Sequence, residues 1–156
     1  MAITGKGPEK EYYLEKISEI EFKKVSIFTP WLEADDYPKL LGCADLGVCL
    51  HTSSSGLDFP MKGKLGFGLP LINYSLVIDM FGSGLPVLAL NFVAISELIH
   101  DNKNGRIFNN SDELASLMLE TIQTNPTLLQ EYRTYVNDNR TSWTDHWNQV
   151  AKQHFF

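Results

Sequence analysis

The sequence predicts an α/β fold in which helices cover both faces of a parallel sheet. Short apolar runs alternate with longer amphipathic segments from one end of the chain to the other. Short buried strands separated by helices are typical of a parallel sheet that is covered on both faces. Because 44% of the 156 residues are hydrophobic, the chain can form the core of one domain, and we expect a single domain over residues 1–156.

The first part of the chain predicts two strands around a helix. Ala2–Thr4 is a short β-like segment. Glu9–Phe22 then places large apolar side chains three to four residues apart, which gives a helix one apolar stripe. Val25–Phe28 follows as a buried strand that Pro30 closes.

The middle of the chain continues the alternation. Acidic residues open a predicted helix over Asp35–Ala44, where they suit the positive end of its dipole. Leu46–Leu50 predicts a buried strand, and Val77–Phe81 predicts a helix that stops at the glycines of Gly82–Gly84. Pro86–Leu90 is the next predicted strand.

The last part is mainly helical. A short helix over Ala94–His100 precedes a strand fragment at Arg106–Phe108. Ser111 is predicted to cap a helix over Asp112–Gln123, and a further helix runs over Pro126–Asn139. A final apolar helical face is formed by Trp143, Trp147 and Val150.

Charge and cysteine content exclude several classes of protein. The 13 Lys and Arg residues against 19 Asp and Glu residues give a net charge of −6, so we expect no nucleic-acid partner. Cys43 and Cys49 are the two cysteines of the sequence, and we expect buried thiols rather than a disulfide or a metal site. No apolar stretch reaches the roughly 20 residues that cross a bilayer.

Three predicted loops should open at one edge of the sheet, because ligands of open parallel sheets bind beyond the carboxyl ends of the strands. These loops are Gly5–Pro8, His51–Lys62 and Asn91–Ser96. The second combines hydroxyls, a glycine, a carboxylate and an amine, which suits a diphosphate; a surface turn with a solvated lysine is the alternative.

Other candidate residues leave two interpretations open. Asp79 lies within an apolar helix start, where it could bind a ribose diol or simply favour the helix dipole. Gly5-Lys6-Gly7 permits close approach of a ligand to the backbone but is also common in turns. Glu97 is either a ligand-binding carboxylate or a solvated acid.

Five segments, taken in order, resemble one family, the chitobiosyldiphosphodolichol beta-mannosyltransferases. They are Ile3–Pro8 (ITGKGP), Thr29–Lys62, Val77–Val87, Asn91–Ile99 and Asn104–Phe108. More distantly, the pattern is similar to the donor-binding C-terminal domain of retaining GT-B glycosyltransferases. The resemblance implies a Rossmann-like parallel sheet, the C-terminal half of a GT-B enzyme.

The resemblance also implies an activity. Family members transfer mannose from GDP-mannose to GlcNAc2-diphosphodolichol, with inversion, on the cytosolic face of the endoplasmic reticulum. They need no cofactor and no bound metal, and other membrane-bound mannosyltransferases are expected partners. By position, Ser54, Ser55, Gly56 and Lys62 would bind the diphosphate, Asp79 the ribose, and Asp58, the catalytic candidate, would lie near the sugar, while Gly5, Lys6 and Glu97 complete the predicted donor site.

Two departures from the family pattern shape the expectation. The family carries a membrane anchor and an acceptor-facing domain ahead of the ITGKGP segment, so we expect this chain to supply the donor-binding half and to be inactive alone. Gly63–Leu76 separates Lys62 from Val77, which the family joins almost directly, and we interpret it as an atypical insertion. The rival hypotheses are a non-catalytic fragment that binds a nucleotide or a partner protein, and an unrelated nucleotide-binding module.

Overall fold

The fold is taken from a computed structural model that describes residues 1–5, 7–50, 76–92, 95–140 and 142–155. The chain forms two compact units, Met1–Leu40 and Leu41–Phe156. Each unit has its own architecture. Among the described residues, no helix combines the length and the apolar character that crossing a membrane requires.

The first unit contains one complete helix, α1 (Lys10–Ser18), and one β-bridge. Ala2 pairs with Phe28 in parallel, and the Phe28 N–H donates to the Met1 carbonyl at 2.9 Å. The two predicted strands of this region are therefore reduced to a single bridge. Because Phe28 keeps 64% of its surface exposed, no buried face rewards longer pairing.

Helix α1 is also shorter than predicted. It ends at Ser18, four residues before the predicted end at Phe22, and none of its residues is buried. Most helical stability in proteins comes from packing of an apolar face, which this helix lacks.

The second unit contains a three-stranded parallel sheet. Its strands are β1 (Gly47–Cys49), β2 (Val87–Leu90) and β3 (Gly105–Phe108), in the order β1-β2-β3. The first residues of the three strands are register partners. Parallel strands flanked by helices confirm the predicted α/β class.

The described residues outside the strands include seven α-helices and three shorter helical segments. The helix before β2 and the two long helices after β3 were all predicted, with ends that differ by a few residues. The α-helices are α2 (Tyr37–Cys43), α3 (Leu76–Gly82), α4 (Ser111–Leu119), α5 (Pro126–Asp138), α6 (Trp143–His146) and α7 (Lys152–Phe155); Ile95–Glu97 is a 3-10 helix, and Glu120–Thr124 and Trp147–Ala151 are π-helical.

The start of α4 differs from the prediction in one detail. Asn110, rather than Ser111, is the cap, because its side-chain oxygen accepts from the backbone N–H groups of Asp112 at 3.1 Å and Glu113 at 2.9 Å. Both residue types favour this position. Asn110 occupies it because its extended backbone places the side chain beneath the first turn.

The core of the second unit is centred on β2. Leu88 is fully buried and packs with Phe108 of β3 and Leu117 of α4. Gly105 allows β3 to approach β2 closely, since a Cβ at this position would collide with the Val87 carbonyl oxygen. Cys49 is buried as predicted, whereas Cys43 is exposed, contrary to the prediction.

Candidate functional site

Two asparagines tie together the carboxyl ends of β2 and β3. Asn91 directly follows β2, and its N–H donates to the carbonyl of Phe108 at 2.7 Å. The Asn91 side-chain nitrogen donates to Oδ1 of Asn109, which directly follows β3, at 2.8 Å. This edge is where ligands of open parallel sheets bind.

Glu113 of α4 completes the cluster, which we call the edge network: Asn91, Asn109, Asn110 and Glu113. Its Oε2 accepts from the backbone N–H of Asn109 at 2.7 Å and from the Asn109 side-chain nitrogen at 2.9 Å. Its Oε1 accepts from the Asn110 side chain at 3.3 Å. The hydrogen bond from the Asn109 backbone N–H contributes most to lowering the pKa of Glu113, and the bond from the Asn109 side chain contributes next. The carboxylate is therefore ionised at neutral pH.

The chemistry of the edge network is that of a binding surface rather than of acid–base catalysis. Amides both donate and accept hydrogen bonds, and its four side chains are exposed. Such groups match a ligand with many hydroxyls. Within the described ranges, no group of three or more potential metal-binding side chains is close enough to hold a metal ion.

A second polar cluster surrounds Arg106 of β3 and has a structural role. Its guanidinium pairs with Asp101 at 3.1 Å and with Glu120 at 3.5 Å. Burial alone would lower the pKa of Arg106, but Asp101, Tyr132 and Glu120 together raise it. Burial raises the pKa of Tyr132, although Arg106 opposes the rise. The ion pairs of Arg106 connect β3 to Asp101, which precedes it, and to Glu120 in the helical segment that follows it.

The structure describes three of the predicted site residues. Asp79 lies on α3 and is half-buried, and the same helix buries Val77 and Met80. Glu97 ends the 3-10 helix and is exposed. Gly5 belongs to the first unit, has a φ of 151°, and has no atom within 4 Å of the position that a Cβ would occupy.

The remaining predicted site residues lie outside the described residues. So does most of the predicted insertion at Gly63–Leu76, of which only Leu76, the first residue of α3, is described. The convergence of these residues on one nucleotide stays a prediction. They are Lys6, Ser54, Ser55, Gly56, Asp58 and Lys62.

Sequence reasoning missed most of the edge network. It singled out the loop that begins at Asn91 but assigned nothing to Asn109, Asn110 or Glu113. A usable signal was present, because Asn109 follows a predicted strand end directly, as Asn91 does. Neutral amides carry no charge and so give a weaker sequence signal than carboxylates, amines or hydroxyls.

Comparison with known proteins identifies relatives over most of the chain. The sequence model of a family described as "Glycosyl transferases group 1" matches residues 1–124. A protein of Arabidopsis thaliana named "UDP-glycosyltransferase TURAN" is 46% identical over 155 residues, which cover 96% of this chain and 30% of that protein.

Two further relatives carry the name of the family that the sequence motifs resemble. The chitobiosyldiphosphodolichol beta-mannosyltransferase of Dictyostelium discoideum is 53% identical over 125 residues, 80% of this chain and 22% of that protein. The Homo sapiens protein of the same name is 44% identical over 153 residues, 96% of this chain and 30% of that protein. These matches confirm the resemblance, and the chain spans less than a third of the length of these relatives.

Proposed function

Because the chain belongs to the group 1 glycosyl transferases, we propose that it forms the sugar-donor half of a mannosyltransferase. The donor would be GDP-mannose and the acceptor dolichol-linked chitobiose, at the cytosolic face of the endoplasmic reticulum. The observation that carries this proposal is the high identity, over most of this chain, to proteins named for that acceptor and that sugar.

The proposed chemistry requires the protein to stabilise a leaving group. Breaking the bond between sugar and phosphate develops negative charge on GDP, which N–H groups, hydroxyls and a cation stabilise. In this proposal Lys62 supplies the cation, and Ser54, Ser55 and Gly56 supply the hydroxyls and backbone N–H groups. Asp58 is the catalytic candidate of this proposal and would act at the transferred sugar.

We assign binding of the nucleoside part of the donor to Asp79 and Glu97, the two acidic site candidates that the structure describes. Asp79 would accept from the ribose hydroxyls, and Glu97 would bind a second part of the donor. The half-burial of Asp79 supports this role, because a partly desolvated carboxylate forms stronger hydrogen bonds than an exposed one.

A UDP-sugar is the second candidate donor. It is favoured by the Arabidopsis relative, whose name specifies a UDP-glycosyltransferase. The two candidates differ in the base, so a binding measurement separates them.

Isothermal calorimetry of the full chain with GDP, GDP-mannose and UDP tests the proposal. Binding is measured rather than transfer because the chain corresponds to less than a third of its relatives. We expect GDP and GDP-mannose to bind and UDP to bind more weakly. Tighter binding of UDP would indicate a UDP-sugar as the donor instead of GDP-mannose. If no nucleotide binds, the proposed function fails and the partner-binding hypothesis remains.

Variants at the acidic residues sharpen the same experiment. Asp79→Asn should weaken GDP binding by about tenfold or more, the usual effect of losing a hydrogen bond to a charged group. Asp138→Asn, on the exposed side of α5, is the matched control and should bind as the unmodified chain does. Equal affinities for the two variants would remove Asp79 from the site.

A further inference from the structure

Glu113 determines which groups donate and which accept in the hydrogen bonds of the edge network. An ionised carboxylate only accepts hydrogen bonds. Its Oε2 already takes the backbone N–H of Asn109 at 2.7 Å, and the Asn109 side chain contacts the same oxygen at 2.9 Å. Only the nitrogen end of the Asn109 amide can face Glu113.

The orientation of the Asn109 amide in turn determines the orientation of the Asn91 amide. With its nitrogen turned to Glu113, the Asn109 amide presents Oδ1 to Asn91, whose nitrogen donates to it at 2.8 Å. The two ends of an amide diverge from one carbon, so the Asn91 oxygen faces away from Asn109. An isolated asparagine can present either end, whereas in this one the nitrogen is engaged by Asn109 and the oxygen is left for another donor.

We propose that Asn91 accepts a hydrogen bond from a hydroxyl of the nucleotide-sugar donor, and that Glu113 is a positioning residue that orients Asn91 through Asn109. This inference rests on the proposed donor-binding function. A phosphate oxygen is an acceptor and does not complement an amide oxygen, whereas a sugar hydroxyl donates. Asn91 is exposed and lies at the edge of the sheet where a ligand is expected.

The hydroxyl could belong to the ribose or to the transferred hexose, and calorimetry distinguishes them. Asn91→Ala should weaken binding about three- to tenfold, the usual range for one neutral hydrogen bond. A loss for both GDP and GDP-mannose assigns the ribose, and a loss for GDP-mannose alone assigns the hexose. Asn139→Ala, an exposed asparagine bonded to the Tyr135 carbonyl, is the control.

The outcomes separate this inference from the proposed function. If the unmodified chain binds donor and Asn91→Ala binds it equally well, the inference is overturned and the function stands. If the unmodified chain binds neither GDP nor GDP-mannose, both are overturned.

The positioning role of Glu113 has its own test. Glu113→Lys places donors where the carboxylate accepted, which should reverse the Asn109 amide and cost the same affinity as Asn91→Ala. In the double variant the two losses should not add, because both remove one interaction. Additive losses would show that Glu113 affects binding independently of Asn91 and would overturn its role as the positioning residue.

The conservative variant guards against a folding defect. Glu113→Gln keeps a side-chain oxygen that can accept from Asn109 and should retain most of the donor affinity. Equal affinity losses in Glu113→Gln and Glu113→Lys, with both proteins folded by circular dichroism, would overturn the directional role of the carboxylate.

Discussion

The two compact units contain similar kinds of sequence but differ in what they bury. Every hydrophobic core residue among the described positions lies in Leu41–Phe156, and no described residue of Met1–Leu40 is buried. The first unit keeps Tyr13 57% exposed and Phe22 40% exposed. In the second unit, Leu88 has no exposed surface.

The difference separates local preference from tertiary stabilisation. The apolar stripe of α1 is sufficient to predict a helix, and a helix forms there. Burial requires a partner surface, which the parallel sheet supplies to α3 and α4. Substitutions should therefore affect stability in the second unit far more than in the first.

The largest contrast is expected between two glycines. Gly105→Ala should prevent the close pairing of β2 and β3 and destabilise the fold by about 3 kcal/mol or more, because the new Cβ would collide with the Val87 carbonyl. Gly7→Ala, in the first unit, meets nothing within 4 Å and should change little. Urea unfolding followed by circular dichroism measures both, and equal midpoints would contradict the comparison.

Truncation of apolar side chains is expected to show the next largest difference. Leu88→Ala should cost about 2–5 kcal/mol, the range for a large side chain in a core. Tyr13→Ala should change the free energy of unfolding by less than about 0.5 kcal/mol, as exposed substitutions usually do. A cost at Tyr13 comparable to that at Leu88 would show that the first unit has a buried partner surface in solution.

Ion pairs should follow the same order with smaller effects. Arg106→Gln breaks two pairs of a side chain that is only 24% exposed, and we expect a loss of about 1 kcal/mol. Lys39→Gln breaks a pair with Asp36 in which both side chains are more than half exposed, so no measurable change is expected. Thermal unfolding at low and high salt distinguishes them, since the exposed pair is screened.

The smallest expected effect is on how stability changes at acidic pH. The lowered pKa of Glu113 means that its carboxylate stabilises the fold above the ordinary pKa of about 4.3. This contribution is lost as the pH falls through the lowered pKa, when the folded state takes up the proton. Glu113→Gln should flatten the fall in unfolding temperature with acid, and an identical pH profile would contradict the assigned hydrogen bonds.

The strands and helices of the second unit were predictable because burial reinforced their sequence patterns. Pro86–Leu90 is apolar throughout and forms β2, which is almost wholly buried. Val25–Phe28 is apolar except for Ser26, but its pairing is limited to one bridge, since pattern alone does not specify which surface will cover a strand. The π-helical turn after α4 had no signal that periodicity detects.

The sequence nominates candidate site residues where one residue type carries one chemistry, and their role in the donor site stays a prediction. Asp79 stood out because a carboxylate among apolar neighbours is costly, and it is half-buried on α3. Asn109 and Glu113 were missed because their role depends on hydrogen bonds between β3 and α4. The direction of those bonds belongs to the folded chain.

The parallel register of the sheet has a consequence for how the chain assembles during synthesis. Gly47 of β1 pairs with a residue 40 positions later (87 − 47), whereas Val87 of β2 pairs with one only 18 positions later (105 − 87). Closing the longer loop costs about 0.7 kcal/mol more in chain entropy. We therefore expect β2 and β3 to pair first during folding. Strand β1, although it leaves the ribosome first, joins the sheet after them.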